Sequence, residues 1–191
     1  MQITKEQLKA WNACDDGYAL FESHFPEGHA EYQTILNTLA DEDFPDYANW
    51  LMDRAGCDEH AVIEIDAITN RKHFFAAGSI VIKASAVVTW TLRAGGSIEA
   101  VGIIEAGRGI EAGRGIKAGD GIEAGGRIKA GWSIEAGGSI EAGNGFGVFA
   151  GLRSRLTDWP VSARVIAKTK PNNLVSGSWV EWSEKATEED A

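Results

Sequence analysis

Four histidines and two cysteines are the side chains of this sequence best suited to hold a metal ion or move a proton near neutral pH. His24, His29 and His60 fall in the first third and His73 just after it, so residues 74–191 contain none. Cys57 and His60 have the spacing of a zinc-ligand pair, but a tetrahedral site needs three or four ligands and Cys14 stands alone. His73 with Asp66, and His60 with Glu59, are the nearest acid–base pairs; neither comes with a nucleophile or an oxyanion device. Gly119-Asp120-Gly121 and Gly143-Asn144-Gly145 contain the small and acidic residues of calcium-binding solenoids, which need repeated aspartates where this chain offers one. The stretch RGIKAGDG lacks the strand–loop–helix context of a phosphate loop. The expectation is therefore a protein that is not an enzyme, with no catalytic residue, no cofactor and no metal site.

The charge distribution points to binding instead. Residues 1–60 hold 13 Asp and Glu against three Lys and Arg, which accounts for the whole net charge of -10, while the remainder is balanced. Asp41, Glu42 and Asp43 form the densest acidic run, with Asp46 and Asp53 close behind, and these five are the candidate partner-binding residues. Carboxylates on a helical surface can imitate the phosphate charge of DNA and compete for a basic groove. The expected partner is a protein with a basic surface; direct nucleic-acid binding is not expected of so acidic a chain. The competing reading is that these residues cap helices and keep the protein soluble.

The elements that carry this charge can be read locally. Thr4 and Gln7 have capping-box spacing, so a short helix should follow with Leu8 and Trp11 inward and Asp15-Asp16-Gly17 at its end. Tyr32, Ile35, Leu36 and Leu39 fall on one helical face. Tyr47, Trp50 and Leu51 repeat the pattern after Pro45, with Gly56 placed to stop the helix. Residues 1–60 thus read as an acidic helical head.

Beyond it the period changes to six. Ile80, Ala86, Leu92, Ile98, Ile104, Ile110, Ile116, Ile122, Ile128, Ile134, Ile140, Phe146 and Leu152 are thirteen successive apolar steps, with a small or apolar residue two positions after each until Ser154. Ile68 and Phe74 fit the same spacing. Residues i and i+2 of a strand share a face, so each hexad reads as a three-residue strand with two inward side chains and a bend. One hexad cannot bury its apolar face alone, and stacking them gives a parallel β-solenoid over residues 61–155. The outward residues set the coil size, because like charges directly stacked are unfavourable. Three hexads per coil stack Glu99, Lys117, Glu135 and Arg153 in one column and Arg93, Glu111, Lys129 and Gly147 in another, whereas two per coil would stack four glutamates. A triangular 18-residue coil is expected, about four turns and roughly 20 Å tall. Its third face retains an all-acidic column of Glu105, Glu123 and Glu141, which Arg108 and Arg127 at the next corner could screen. Trp90 and Trp132 fall at outward corner positions. The head could cover one end of the stack, and ARVIAKTKPNNLVSGSWVEW reads as a hairpin covering the other within a C-terminal region 156–191 that ends in an acidic tail. The fold class is α+β.

No apolar run approaches a membrane span and the first residues lack a signal peptide's pattern, so a soluble cytoplasmic protein with two buried free thiols is expected. The hexads resemble those of the bactofilins, whose triangular β-helices polymerise end to end; this covers residues 80–155 and makes homo-oligomerisation through the solenoid ends or the hairpin the alternative reading. They differ from the hexads of left-handed acyltransferases and carbonic anhydrases, which look to histidines on or beside the coils. The opening QLKAWNACDDGYALFESHFPEG, the tandem GIEAG and GIKAG units and the segment NGFGVFAGLRSRLTDWP are similar to uncharacterised phage and prophage proteins of enteric bacteria. That resemblance implies a phage accessory protein and names no catalytic residue; the rigid solenoid, the lack of a catalytic constellation and the head of charge -10 are what point to a binding protein in a bacterial host cell, one that occupies a host defence or nucleic-acid-handling protein.

Overall fold

The computed structural model describes residues 1–183; the acidic tail expected at the C-terminus, residues 184–191, lies outside them. The head begins with strand Gln2–Thr4, followed by α1 (Lys5–Ala10), α2 (Asp15–His24), strand His29–Glu31, α3 (Tyr32–Asp41) and α4 (Pro45–Ala55). The capping box forms, with Thr4 Oγ1 accepting from the Gln7 N–H and Gln7 Oε1 accepting from the Thr4 N–H. Asp15-Asp16-Gly17 does not end α1; it starts α2, where Asp15 and Asp16 complement the positive end of the helix dipole. The stop is Asn12, held in the left-handed region at φ 58°, a conformation Asn tolerates. Leu8 is buried and Trp11 half-buried, while Tyr32, Ile35, Leu36 and Leu39 are all buried along α3. Pro45 opens α4 and Gly56 closes it at φ 74°. The two edge strands pair antiparallel and tie the entry of α1 to that of α3.

The solenoid follows the expected triangular coil. Ile80, Ile98, Ile116 and Ile134 stack in one register, so the repeat is 18 residues. Glu99 lies beside Lys117 and Lys117 beside Glu135, and Arg93, Glu111 and Lys129 form the second alternating column. Glu105, Glu123 and Glu141 stack as the all-acidic column. The inward Ile and Ala are almost completely buried from Ile80 to Ile140. Each fully buried isoleucine contributes about 1.5–3 kcal/mol, so the core is strong although it is thin. The strands Ile68–Ala76 and Ala86–Ala94 run round a corner without a break, which merges two of the three faces into one nine-stranded sheet and leaves the third with seven strands.

Seven strands on that face make the stack taller than four turns, roughly 30 Å at the interstrand spacing. The extra coils come from both ends. Winding starts at Val62–Ile65, which pairs with Ser79–Ile82. At the far end the spacing of six fails after Ala142. Gly145 at φ 79° and the Phe146 N–H donating to Gly143 O close a tight turn that uses two extra residues, so Ile128 pairs with Val148. Phe146 and Leu152, both expected in the core, are 52% exposed, and Val148 and Ala150 take the inward places. The expected neighbours Gly147 and Arg153 are replaced accordingly: Lys129 lies beside Phe149 and Glu135 beside Ile166.

The chain leaves the stack at 151–163 and returns as Arg164–Ala167, Leu174–Ser176 and Ser178–Glu181. These C-terminal strands close the far end as expected. The arms Arg164–Ala167 and Ser178–Glu181 lie side by side in parallel, and Leu174–Ser176 pairs with Val148–Phe149, so the cap continues the winding. Cys14 and Cys57 are free, but neither is buried: Cys14 is exposed because it precedes α2 at the surface, and Cys57 is half-buried.

Candidate functional site at the head–solenoid junction

Hydrogen-bonding groups at the edge of the strand Ile68–Ala76 must be satisfied by something other than a preceding strand. The side chain of Gln33 on α3 does this by imitating a peptide group: its Nε2 donates to Phe75 O at 2.8 Å, and its Oε1 accepts from the Ala77 N–H at 2.9 Å. The Asp58 N–H donates to Ala77 O at 2.9 Å and completes the edge. Phe75 points outward from the coil into the head's apolar core with Ala77, so the head covers the first coil by packing as well as by hydrogen bonds. Replacing Gln33 with Leu leaves a buried carbonyl and a buried N–H unpaired. The expected loss is about 2 kcal/mol in urea unfolding, with new concentration-dependent association as the strand edge opens. An unchanged unfolding midpoint would show that the amide is not the cap.

The acidic residues singled out above cluster at this same junction, where most find cations of the solenoid. Asp41 pairs with Arg71 at 2.6 Å, and Asp43 with Lys72 at 2.7 Å and His73 at 3.1 Å. Asp53 pairs with Arg93, which also donates to Asn49 O and Asn49 Oδ1 and lies 3.5 Å from Glu111. Glu42 turns back to His24 of α2 at 3.0 Å. Asp46 forms no ion pair among the described residues. The surface pairs contribute at most about 1 kcal/mol each. Arg93 is different, because a guanidinium buried by α4 must keep its partners. Asp43 sits in the left-handed region at φ 67°, which aims its carboxylate at Lys72 and His73. Lys72, and then His73, hold that carboxyl below the usual range.

His73 is buried between the rings of Phe75 and Trp90. Burial lowers its pKa, against the opposing hydrogen bond to Asp43. Its acid partner is Asp43 and not Asp66, which pairs instead with Lys83. Burial also pushes the Cys57 thiol up, away from reactive thiolate chemistry. Among the described residues no three His, Cys, Asp or Glu converge as metal ligands, so Cys14, Cys57 and His60 are not brought together.

Two concavities flank the junction. One, of about 340 Å³, lies within the head and is mostly apolar, with Leu8, Phe21, Leu39 and Trp50 in its walls. The other, of about 530 Å³, runs between α4 and the solenoid corner formed by Gly107, Arg108, Gly125 and Arg127. Arg108 lies over the Trp90 ring at 4.1 Å, so it stacks on that corner and makes no ion pair with the acidic column among the described residues. The other outward tryptophan, Trp132, is exposed, with Arg114 5.5 Å above it. Sequence reasoning missed Gln33, Arg71, Lys72 and Arg93 as partners of the head; the adjacent Arg71-Lys72-His73, matched in length to Asp41-Glu42-Asp43, was the signal available.

No helix among the described residues is long and apolar enough to cross a membrane. Comparison with known proteins finds no matching curated protein and no matching solved structure. A family described as the YdhT N-terminal domain matches residues 1–56, and the head up to the Gly56 that ends α4 is thus similar to that domain.

Proposed function

We propose that this chain is a non-enzymatic binding protein, of the phage-accessory type, which occupies the basic surface of a host protein and so obstructs a defence or nucleic-acid-handling system. The carrying observation is the column Glu105, Glu123 and Glu141. These carboxylates are exposed and stacked in one register, and none forms an ion pair among the described residues. The other two columns alternate in sign, so this one keeps a repulsion that a single lysine would remove. A stability cost retained on a rigid face is what a binding surface entails. Asp41, Asp43 and Asp53 remain exposed on the head, but a basic partner would compete there with Arg71, Lys72 and Arg93. Glu42 and Asp46 extend the acidic surface with fewer internal ties. Both proteins would meet by screened attraction, so binding should weaken with salt.

The test is Glu123→Lys. It should raise stability by about 1 kcal/mol by restoring alternation with both neighbours, and a partner recovered from bacterial lysate by the wild type at low salt should be lost. Recovery of the same partner by the variant would overturn the reading. Self-assembly is the second reading, favoured by Val175 and Trp179, which are exposed on the last strands of the stack. Sedimentation at several concentrations separates the two, since a species of constant small mass excludes filaments.

A further inference from the structure

We infer that the groove between α4 and the solenoid corner is a binding site for a small phosphate-bearing molecule with an aromatic ring, of the mononucleotide class. The groove has the volume of a small-ligand pocket, about 530 Å³. Its corner carries Arg108 and Arg127 on successive coils, with Trp90 O accepting from the Arg108 N–H and Arg127 O accepting from the Ile110 N–H. Lys129 stands beside them on the adjoining face. None of these three cations forms an ion pair among the described residues, whereas Arg93 in the same groove is committed to Asp53 and Asn49. In a chain of net charge -10, four cations, Arg93, Arg108, Arg127 and Lys129, against the carboxylates of Asp46, Asp53 and Glu111 give this one concavity a positive balance, an exception to the surrounding field. Trp90 holds the Arg108 guanidinium over its ring at 4.1 Å, which fixes a bidentate-capable cation at the corner.

The aromatic half of the ligand follows from Phe146. The hexad pattern assigns this residue to the core, yet the turn at Gly145 ejects it, 52% exposed, into the groove wall. A ring stacked there would reach the cationic corner with its phosphate. Asp46 on the opposite wall repels that phosphate and so directs it to the corner. A nucleic acid strand is disfavoured, because its further phosphates would run over the acidic head and the Glu105 column.

The experiment is isothermal titration of the full chain with ATP, adenosine, inorganic phosphate and a short single-stranded oligonucleotide. Saturable binding of ATP is expected, tighter than that of adenosine or phosphate alone. Arg127→Gln and Phe146→Ala should each weaken it about tenfold, and Asp46→Asn should tighten it. These side chains are exposed, so thermal melts should match the wild type and separate lost binding from lost folding. No saturation by ATP up to about 5 mM overturns the site, as does affinity unchanged in Arg127→Gln. Phosphate binding as tightly as ATP removes the aromatic half, and an oligonucleotide binding more tightly than ATP replaces the small molecule by a nucleic acid.

Discussion

Replacing Ile122 with Asp should unfold the middle of the solenoid. Ile122 is 1% exposed and stacks between Ile104 and Ile140 in an interior lined by isoleucine and alanine. Removing the aliphatic side chain alone costs about 2–5 kcal/mol. The carboxylate adds several more, because no buried cation of the coil can pair with it. The sum is comparable to the whole stability of an ordinary domain, about 5–15 kcal/mol. Each coil touches only its neighbours, so losing one in the middle separates the head with the first coils from the C-terminal cap. Hydrogen exchange should show the amides of 104–142 losing protection first. Glu123→Gln, one residue along on the outward face, should stay within about 0.5 kcal/mol of the wild type. An Ile122→Asp variant that melted with the wild type would mean that this position faces solvent.

The isoleucines made the solenoid legible because each repeat poses the same burial problem and admits the same answer. Charge then decided the coil size: Lys117 falls between Glu99 and Glu135 only if a coil holds 18 residues. The pattern misled where one turn changed the count. Phe146 fits the sixfold spacing as well as Ile140 does, and only the backbone of Gly143–Gly147 shows that two residues are spent on a bend. Helices α3 and α4 were legible from their apolar faces and from Pro45 and Gly56. The start of α2 was not, since Asp15-Asp16-Gly17 has the composition of a turn as much as of a first helical turn.

At the candidate site the limit was different in kind. The acidity of residues 1–60 is visible in composition, but its destination is not. Arg71, Lys72 and Arg93 belong to a body of zero net charge, and beyond the run Arg71-Lys72-His73 nothing local states that they face the head. Gln33 was invisible for a similar reason: a polar residue on the partly exposed side of α3 has ordinary helical surroundings until the first coil is set beside it. Long-range pairing of single polar groups leaves no period, and period was the signal that carried the rest.

Two glycines of the same hexad give the sharpest test of how the coils fit. Gly119→Ala should destabilise the protein by about 3 kcal/mol, near the top of the range for overpacking, whereas Gly121→Ala should be nearly neutral. Neither position needs the left-handed region, so conformational freedom is not the difference. A Cβ on Gly119 would lie 1.9 Å from the Val101 carbonyl oxygen of the preceding coil, a backbone atom that cannot rotate away. A Cβ on Gly121 would meet nothing closer than Ser139 O at 3.5 Å. Gly125, Gly131, Gly137 and Gly143 repeat the tight approach of Gly119, each against a carbonyl one coil earlier. Lys83, Thr89 and Val101 occupy the same hexad position in the early coils, so a corner can be built wider where the chain is wound that way from the start. A lone alanine at 119 must instead open one corner against closed neighbours, and the strain falls on the Gly119 N–H bond to Ala100 O. Equal melting temperatures for the two variants would show that the corners yield freely. The glycines would then serve the bend alone and not the approach of one coil to the next.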